Sequence, residues 1–145
     1  DTEGRIINSL LQEYVAKAPG RAAFHTNLGE NYLHTLQHVD LVLGNSSSGI
    51  LETPFFHIPT VNLGNRQRGR VMPDSVVCCD ESVVGIKAAL QKALSDEFVK
   101  FCKAVQSPYD AGVVVSEAAV KEIKAYFAKP RSGMKKFYDV MRYCN

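Results

Sequence analysis

The sequence predicts an α/β domain built on a parallel sheet, and three observations carry that fold class. The apolar runs "LVLG", "TVNLG" and "SVVCC" are too short for helices and read as buried strands. Segments with apolar residues at helical spacing alternate with them, and strands alternating with helices make βα units. The chain has 145 residues, of which 46% are hydrophobic and 22% charged, so it is long enough for one core and ordinary in composition.

The chain opens on a helix. Asp1 and Thr2 are candidate caps and Glu3 falls in the first turn. Ile6, Ile7, Leu10, Leu11, Tyr14 and Val15 recur at helical spacing until Pro19 and Gly20 close the element. A parallel α/β domain normally opens with a strand, so the expectation is a chain cut from something longer, with its first strand missing. "AAFHT" from Ala22 is a short strand candidate, and a helix over residues 30–38 carries Tyr32, Leu33 and Leu36 on its apolar face. Strand 41–44 leads through serines to a short helix over residues 49–56, and Pro59 introduces the strand "TVNLG". Strand 75–79 precedes an amphipathic helix over residues 80–94, resting on Val83, Val84, Ala88 and Leu94. A further helical stretch holds Phe98, Phe101 and Val105, a loop spans residues 107–112, and residues 116–129 form the last helix. Residues 1–129 are thus expected to form the domain and residues 130–145 a tail. No internal repeat or low-complexity segment interrupts them.

Composition narrows the function. A net charge of +2 is too mild to argue for nucleic acid, although the cluster at Arg66, Arg68 and Arg70 can still hold one phosphate group. No apolar run approaches a membrane span, and no signal peptide is visible. Cys78, Cys79, Cys102 and Cys144 lack zinc spacing and read as reduced core thiols, which fits a cytoplasmic protein. His25, His34, His38 and His57 are scattered without metal spacing or a nucleophile to pair with, and Asp110 sits where a turn explains it. No metal, no cofactor and no catalytic residue is therefore assigned within the chain.

One stretch concentrates chemistry. In an open parallel sheet ligands bind beyond the carboxyl ends of the strands, and Asn45 to Gly49 is such a loop, leaving one strand and entering a helix. Its backbone N–H groups converge with a helix N-terminus, Ser46, Ser47 and Ser48 add hydroxyl donors, and Gly44 and Gly49 admit a bulky anion. Helix capping alone needs one such residue where this loop offers four. Glu52, one turn on, is placed to accept from a vicinal diol, although a first-turn carboxylate is also common on surface helices. Arg66 leaves the next strand at the same edge, where its planar fork suits phosphate or a base carbonyl. Arg68 and Arg70 read as solvated or structurally paired.

"GNSSSGILETP", "PTVNLGNRQRGR" and the terminal "KKFYDV" resemble the carboxyl half of UDP-N-acetylglucosamine 2-epimerases, and most of all the hydrolysing kind that releases UDP and N-acetylmannosamine for sialic acid synthesis. The opening "DTEGR" is similar to the family segment after the first strand of the second domain, so the resemblance covers essentially the whole chain. It implies the carboxyl-terminal half of a glycosyltransferase-B-type fold, with two Rossmann-like domains and a cleft between them. Ser46 and Ser47 match the family's diphosphate-binding serines, with Gly49 in the same turn. Glu52 matches its ribose-binding carboxylate, Arg66 its nucleotide arginine, and Tyr32 lies where it places an aromatic by the uracil.

The implied partners are UDP or a UDP-N-acetylhexosamine and an absent amino-terminal domain that holds the catalytic acids. The tail over residues 130–145 is expected to cross toward that domain. On its own it would cover apolar surface or drive association into a homo-oligomer. The alternatives are a non-hydrolysing epimerase that interconverts the two UDP sugars, a relative acting on bacillosamine-type UDP sugars, the carboxyl domain of a true glycosyltransferase, and a stand-alone nucleotide-binding module.

Overall fold

The structure, a computed structural model, describes residues 4–129. The described residues divide into two compact units that part between Ser107 and Pro108. The first unit contains helices α1 (Gly4–Lys17), α2 (Asn31–Leu36), α3 (Ser48–Leu51), α4 (Val83–Ala93) and α5 (Asp96–Cys102), with strands β1 (Val42–Gly44), β2 (Thr60–Leu63) and β3 (Val76–Cys79). The second contains α6 (Val115–Ala128).

The strands form a parallel sheet in the order β1-β2-β3, with Val42 opposite Thr60 and Thr60 opposite Val76. Successive residues of a strand point to opposite faces, so each strand serves two layers. On one face Val61 packs against Ala89 and Ala93 of α4, with Leu41, Leu63, Val77, Cys79, Leu90 and Phe98 around them. The small alanines let the helix lie close on the sheet. On the other face Thr60 meets Gly49 of α3 and the Thr53 hydroxyl. Ile50 is fully buried there, and burial of such a side chain stabilises by about 1.5–3 kcal/mol.

The α/β fold with a parallel sheet is the one expected, and the three strands fall where the apolar runs lie. Several elements differ. Residues 22–26 form no strand, because β1 pairs only with β2 among the described residues and an extended segment without a ladder partner is not stable. The single helix expected over residues 49–56 is instead one turn of α3 followed by a 3₁₀ turn, Thr53–Phe56. Pro54 has no N–H to continue the α-helical ladder.

Helix α4 begins at Val83 rather than Asp80, because Ser82 is its cap. The Ser82 hydroxyl accepts from the Gly85 N–H at 2.9 Å, while Asp80 Oδ1 accepts from the Ser82 N–H at 3.0 Å and the Ser82 hydroxyl at 2.6 Å. The apolar face of α4 is also not the one expected. Val83 and Val84 are 68% and 78% exposed and Leu94 is exposed, whereas Ala89 and Ala93 are buried. Leu33 of α2 is likewise exposed beside a buried Leu36, and Val105 is buried beyond the end of α5.

Among the described residues the core-thiol expectation holds for Cys102 and in part for Cys79, which packs against the core cluster, but not for Cys78. Cys102 is buried and its thiol is pushed up by that burial. Cys79 is half-buried, raised first by desolvation and then by the charges of Asp80 and Cys78. Cys78 is exposed, because it lies on the face away from α4 in the outer strand β3, where a depression of about 330 Å3 includes Asn62, Arg68 and Arg70 in its lining. Cys144, the caps Asp1 and Thr2, Glu3 and the tail over residues 130–145 lie outside the described residues.

Candidate functional site

The carboxyl ends of β1 and β2 release two loops, and hydrogen bonds bring them together. After β1, Asn45 to Ser47 lead into α3. Its first turn closes as the Gly49 N–H donates to Ser46 O at 3.2 Å and the Ile50 and Leu51 N–H groups donate to Ser47 O. The Ser46 hydroxyl accepts from the Ser48 N–H at 3.3 Å. The backbone N–H groups of Ser46 and Ser47, and the hydroxyl of Ser47, have no partner among the described residues. These are unpartnered donors on a closed turn, which is what an anion needs. With only four residues, α3 contributes little of the macrodipole expected from a longer helix, so the donors themselves carry the attraction.

Gly49 fixes how closely this turn approaches the sheet. It is buried, and a Cβ added there would lie 2.8 Å from Thr60 Cγ2. The turn is further held by Thr53, whose hydroxyl donates to Gly49 O at 2.6 Å and pairs with the Thr60 hydroxyl at 2.8 Å. Both threonines are buried, and each hydroxyl finds a partner there.

After β2 the chain turns at Gly64, whose φ of +67° is the left-handed region that glycine enters without cost. The turn delivers Arg66, whose Nη1 donates to Asn45 Oδ1 at 3.4 Å. Gln67 reaches the same residue: its Nε2 donates to the Asn45 carbonyl at 2.7 Å. Gln67 is 3% exposed, and its Oε1 is buried without a partner among the described residues. An unsatisfied buried acceptor of this kind costs about 1–3 kcal/mol.

Of the residues singled out from the sequence, Ser46, Ser47, Ser48 and Gly49 form one turn, Arg66 touches that turn through Asn45, and Tyr32 joins it through a hydrogen bond between its phenol and the Ser48 hydroxyl. Glu52 follows α3 directly as its C-cap, exposed, with its N–H on Ser48 O at 2.9 Å. It shares no side-chain hydrogen bond with the others. Sequence reasoning missed Asn45 and Gln67 as the link between the loops. The only signal was a lone amide inside the basic run "RQRGR", and nothing in a basic run marks one member as buried.

Comparisons with known proteins agree on one family. The family model for UDP-N-acetylglucosamine 2-epimerase matches residues 1–124. A GDP/UDP-N,N'-diacetylbacillosamine 2-epimerase (hydrolyzing) from Campylobacter jejuni is 38% identical over 99 residues, covering 68% of this chain and 25% of that protein. A UDP-N,N'-diacetylbacillosamine 2-epimerase (hydrolyzing) from Legionella pneumophila is 36% identical over 101 residues, covering 70% of this chain and 26% of that protein. A UDP-N-acetylglucosamine 2-epimerase from Neisseria meningitidis is 35% identical over 88 residues, covering 60% of this chain and 23% of that protein. The chain therefore spans about a quarter of the length of these relatives.

Proposed function

The chain belongs to the UDP-N-acetylglucosamine 2-epimerase family, and we propose that within it these residues grip the UDP moiety of a UDP-N-acetylhexosamine. One observation carries the reading: the unpartnered N–H groups of Ser46 and Ser47 and the Ser47 hydroxyl stand at the carboxyl edge of a parallel sheet, with Arg66 tied to the same loop. A diphosphate fits that chemistry, with Ser46, Ser47, Ser48 and Gly49 forming its cradle. Arg66 supplies the countercharge, Glu52 takes the ribose hydroxyls and Tyr32 lies on the uracil side.

In the intact protein the reaction is the hydrolysing 2-epimerisation of UDP-N-acetylglucosamine, giving UDP and N-acetylmannosamine. Loss of UDP from C1 with the C2 proton gives a glycal-like intermediate, and water then adds with inversion at C2. As the C1–O bond breaks, negative charge grows on the diphosphate, and fixed donors aimed at that position lower the barrier electrostatically. The rest of the intact protein, which includes the other half of a glycosyltransferase-B-type fold, supplies the acids and bases. The chain alone binds UDP weakly and turns nothing over. A cytoplasmic location belongs to the same proposal, supported by Cys78, Cys79 and Cys102 being free thiols.

The two diacetylbacillosamine epimerases among the relatives favour a second reading, in which the sugar is the 2,4-diacetamido kind and the UDP grip is unchanged. Incubating the intact protein with each UDP sugar separates them. Free UDP with N-acetylmannosamine supports the first, free UDP from the diacetamido sugar alone supports the second, and turnover of neither overturns both. A product still attached to UDP would show a non-hydrolysing enzyme.

A further inference from the structure

We propose that Gln67 is a positioning residue that sets the phosphate-gripping loop against the arginine loop, an inference that rests on the UDP reading above. Gln67 is 3% exposed, and the 2.7 Å bond from Nε2 reaches a backbone carbonyl, that of Asn45, the first residue of the serine loop. The same asparagine takes the Arg66 guanidinium on its side chain. Asn45 is thus held from both atoms of contact by two consecutive residues of the neighbouring loop. That pins the height at which the Ser46 and Ser47 N–H groups stand relative to Arg66.

The bond is one-sided. Gln67 Oε1 stays buried without a partner among the described residues. An apolar side chain of similar length would fill the space without that penalty, so packing does not explain an amide here, whereas the link to Asn45 does. The group needed is a donor: a residue of the same size that can only accept would push the Asn45 carbonyl, and the serine loop with it, away from Arg66.

The role predicts a specific split. In the intact protein, Gln67→Met keeps the volume and removes the donor. UDP should bind about tenfold more weakly, while uridine, which has no phosphate for the cradle, should bind within twofold of the wild type. Gln67→Glu offers a carboxylate to a carbonyl at neutral pH and a proton donor when acidified. Its UDP affinity, relative to wild type at each pH, should recover between pH 8 and pH 5.5. Calorimetry or chemical-shift titration reads both ligands, and melting temperatures accompany them.

Equal loss of uridine and UDP in Gln67→Met, or UDP binding unchanged in it, overturns the positioning role. A Gln67→Glu variant whose deficit does not move with pH overturns it as well, even where Gln67→Met fails to fold. The two failures are distinguishable: a wild type that binds no UDP removes the site itself, whereas a wild type that binds UDP beside equally good variants removes only the part of Gln67.

Discussion

Replacing Gly49 by alanine tests the packing that places the candidate site. A Cβ there would lie 2.8 Å from Thr60 Cγ2, closer than carbon atoms approach. Thr60 has little room to yield, because it is β-branched, 2% exposed and held by a 2.8 Å bond to the Thr53 hydroxyl. Overpacking of this kind costs about 1–3 kcal/mol. Alanine recovers roughly 0.5–1 kcal/mol of that through its better helix propensity. The net loss is about 0–2.5 kcal/mol, centred near 1 kcal/mol, which is roughly 3–5 °C in melting temperature for a domain of this size.

The offending atom is a single methyl, and Thr60→Ser removes it while keeping the hydroxyl that pairs with Thr53. Thr60→Ser alone should cost about 1 kcal/mol for the lost buried methyl. On the Gly49→Ala background it should cost nothing or restore stability, giving a coupling of about 1–2 kcal/mol in a double-mutant cycle. Thermal and urea unfolding of the four proteins measure it. A Gly49→Ala protein at least as stable as wild type, or effects that add within about 0.5 kcal/mol, would refute the account of how the serine turn rests on β2.

The other expectations concern the cap of α4 and the thiols. Ser82→Ala should destabilise by about 1 kcal/mol, read by urea unfolding, since it removes the acceptor for the Gly85 N–H. The hydrogen bonds from Ser82, side chain first and then backbone, hold the Asp80 carboxyl below its ordinary value. Its folded pKa is thus depressed, so its stabilising contribution is present above the ordinary carboxylate range and lost as pH falls through the folded value. Asp80→Asn should accordingly flatten the stability profile below about pH 4, and an acid limb as steep as wild type would contradict it. Among the described thiols, iodoacetamide followed by peptide mapping should label the exposed Cys78 first and reach Cys102, buried and raised in pKa, only after unfolding. Early labelling at Cys102 would show the α5 packing to be wrong.

Strands were legible as apolar runs, and Val61 and Val77 do pack in the core, where a sheet interior leaves little choice of residue, although Leu43 of β1 is 47% exposed. Boundaries were not legible where a side chain, rather than a pattern, decides them. Ser82 and Asp80 begin α4 by hydrogen bonding, and Pro54 splits a stretch whose periodicity alone reads as one helix. Val83 and Val84 misled for a related reason: their hydropathy suggests a buried face, yet close approach to the sheet selects the smaller Ala89 and Ala93. At the site, the serine turn and Arg66 stood out because their residue types are themselves the chemistry. Gln67 and the pair Thr53 and Thr60 did not, since their importance comes from burial and from partners distant in sequence.

Calorimetric titration of the chain and of the intact protein with UDP, beside Ser47→Ala and Arg66→Ala, tests the central claim most directly. Saturable binding is expected. Arg66→Ala should weaken it by roughly 10–100-fold, as loss of a charged hydrogen bond implies, and Ser47→Ala by roughly 3–10-fold. An intact protein that shows no saturable UDP binding, or binds UDP undiminished after both substitutions, would contradict it.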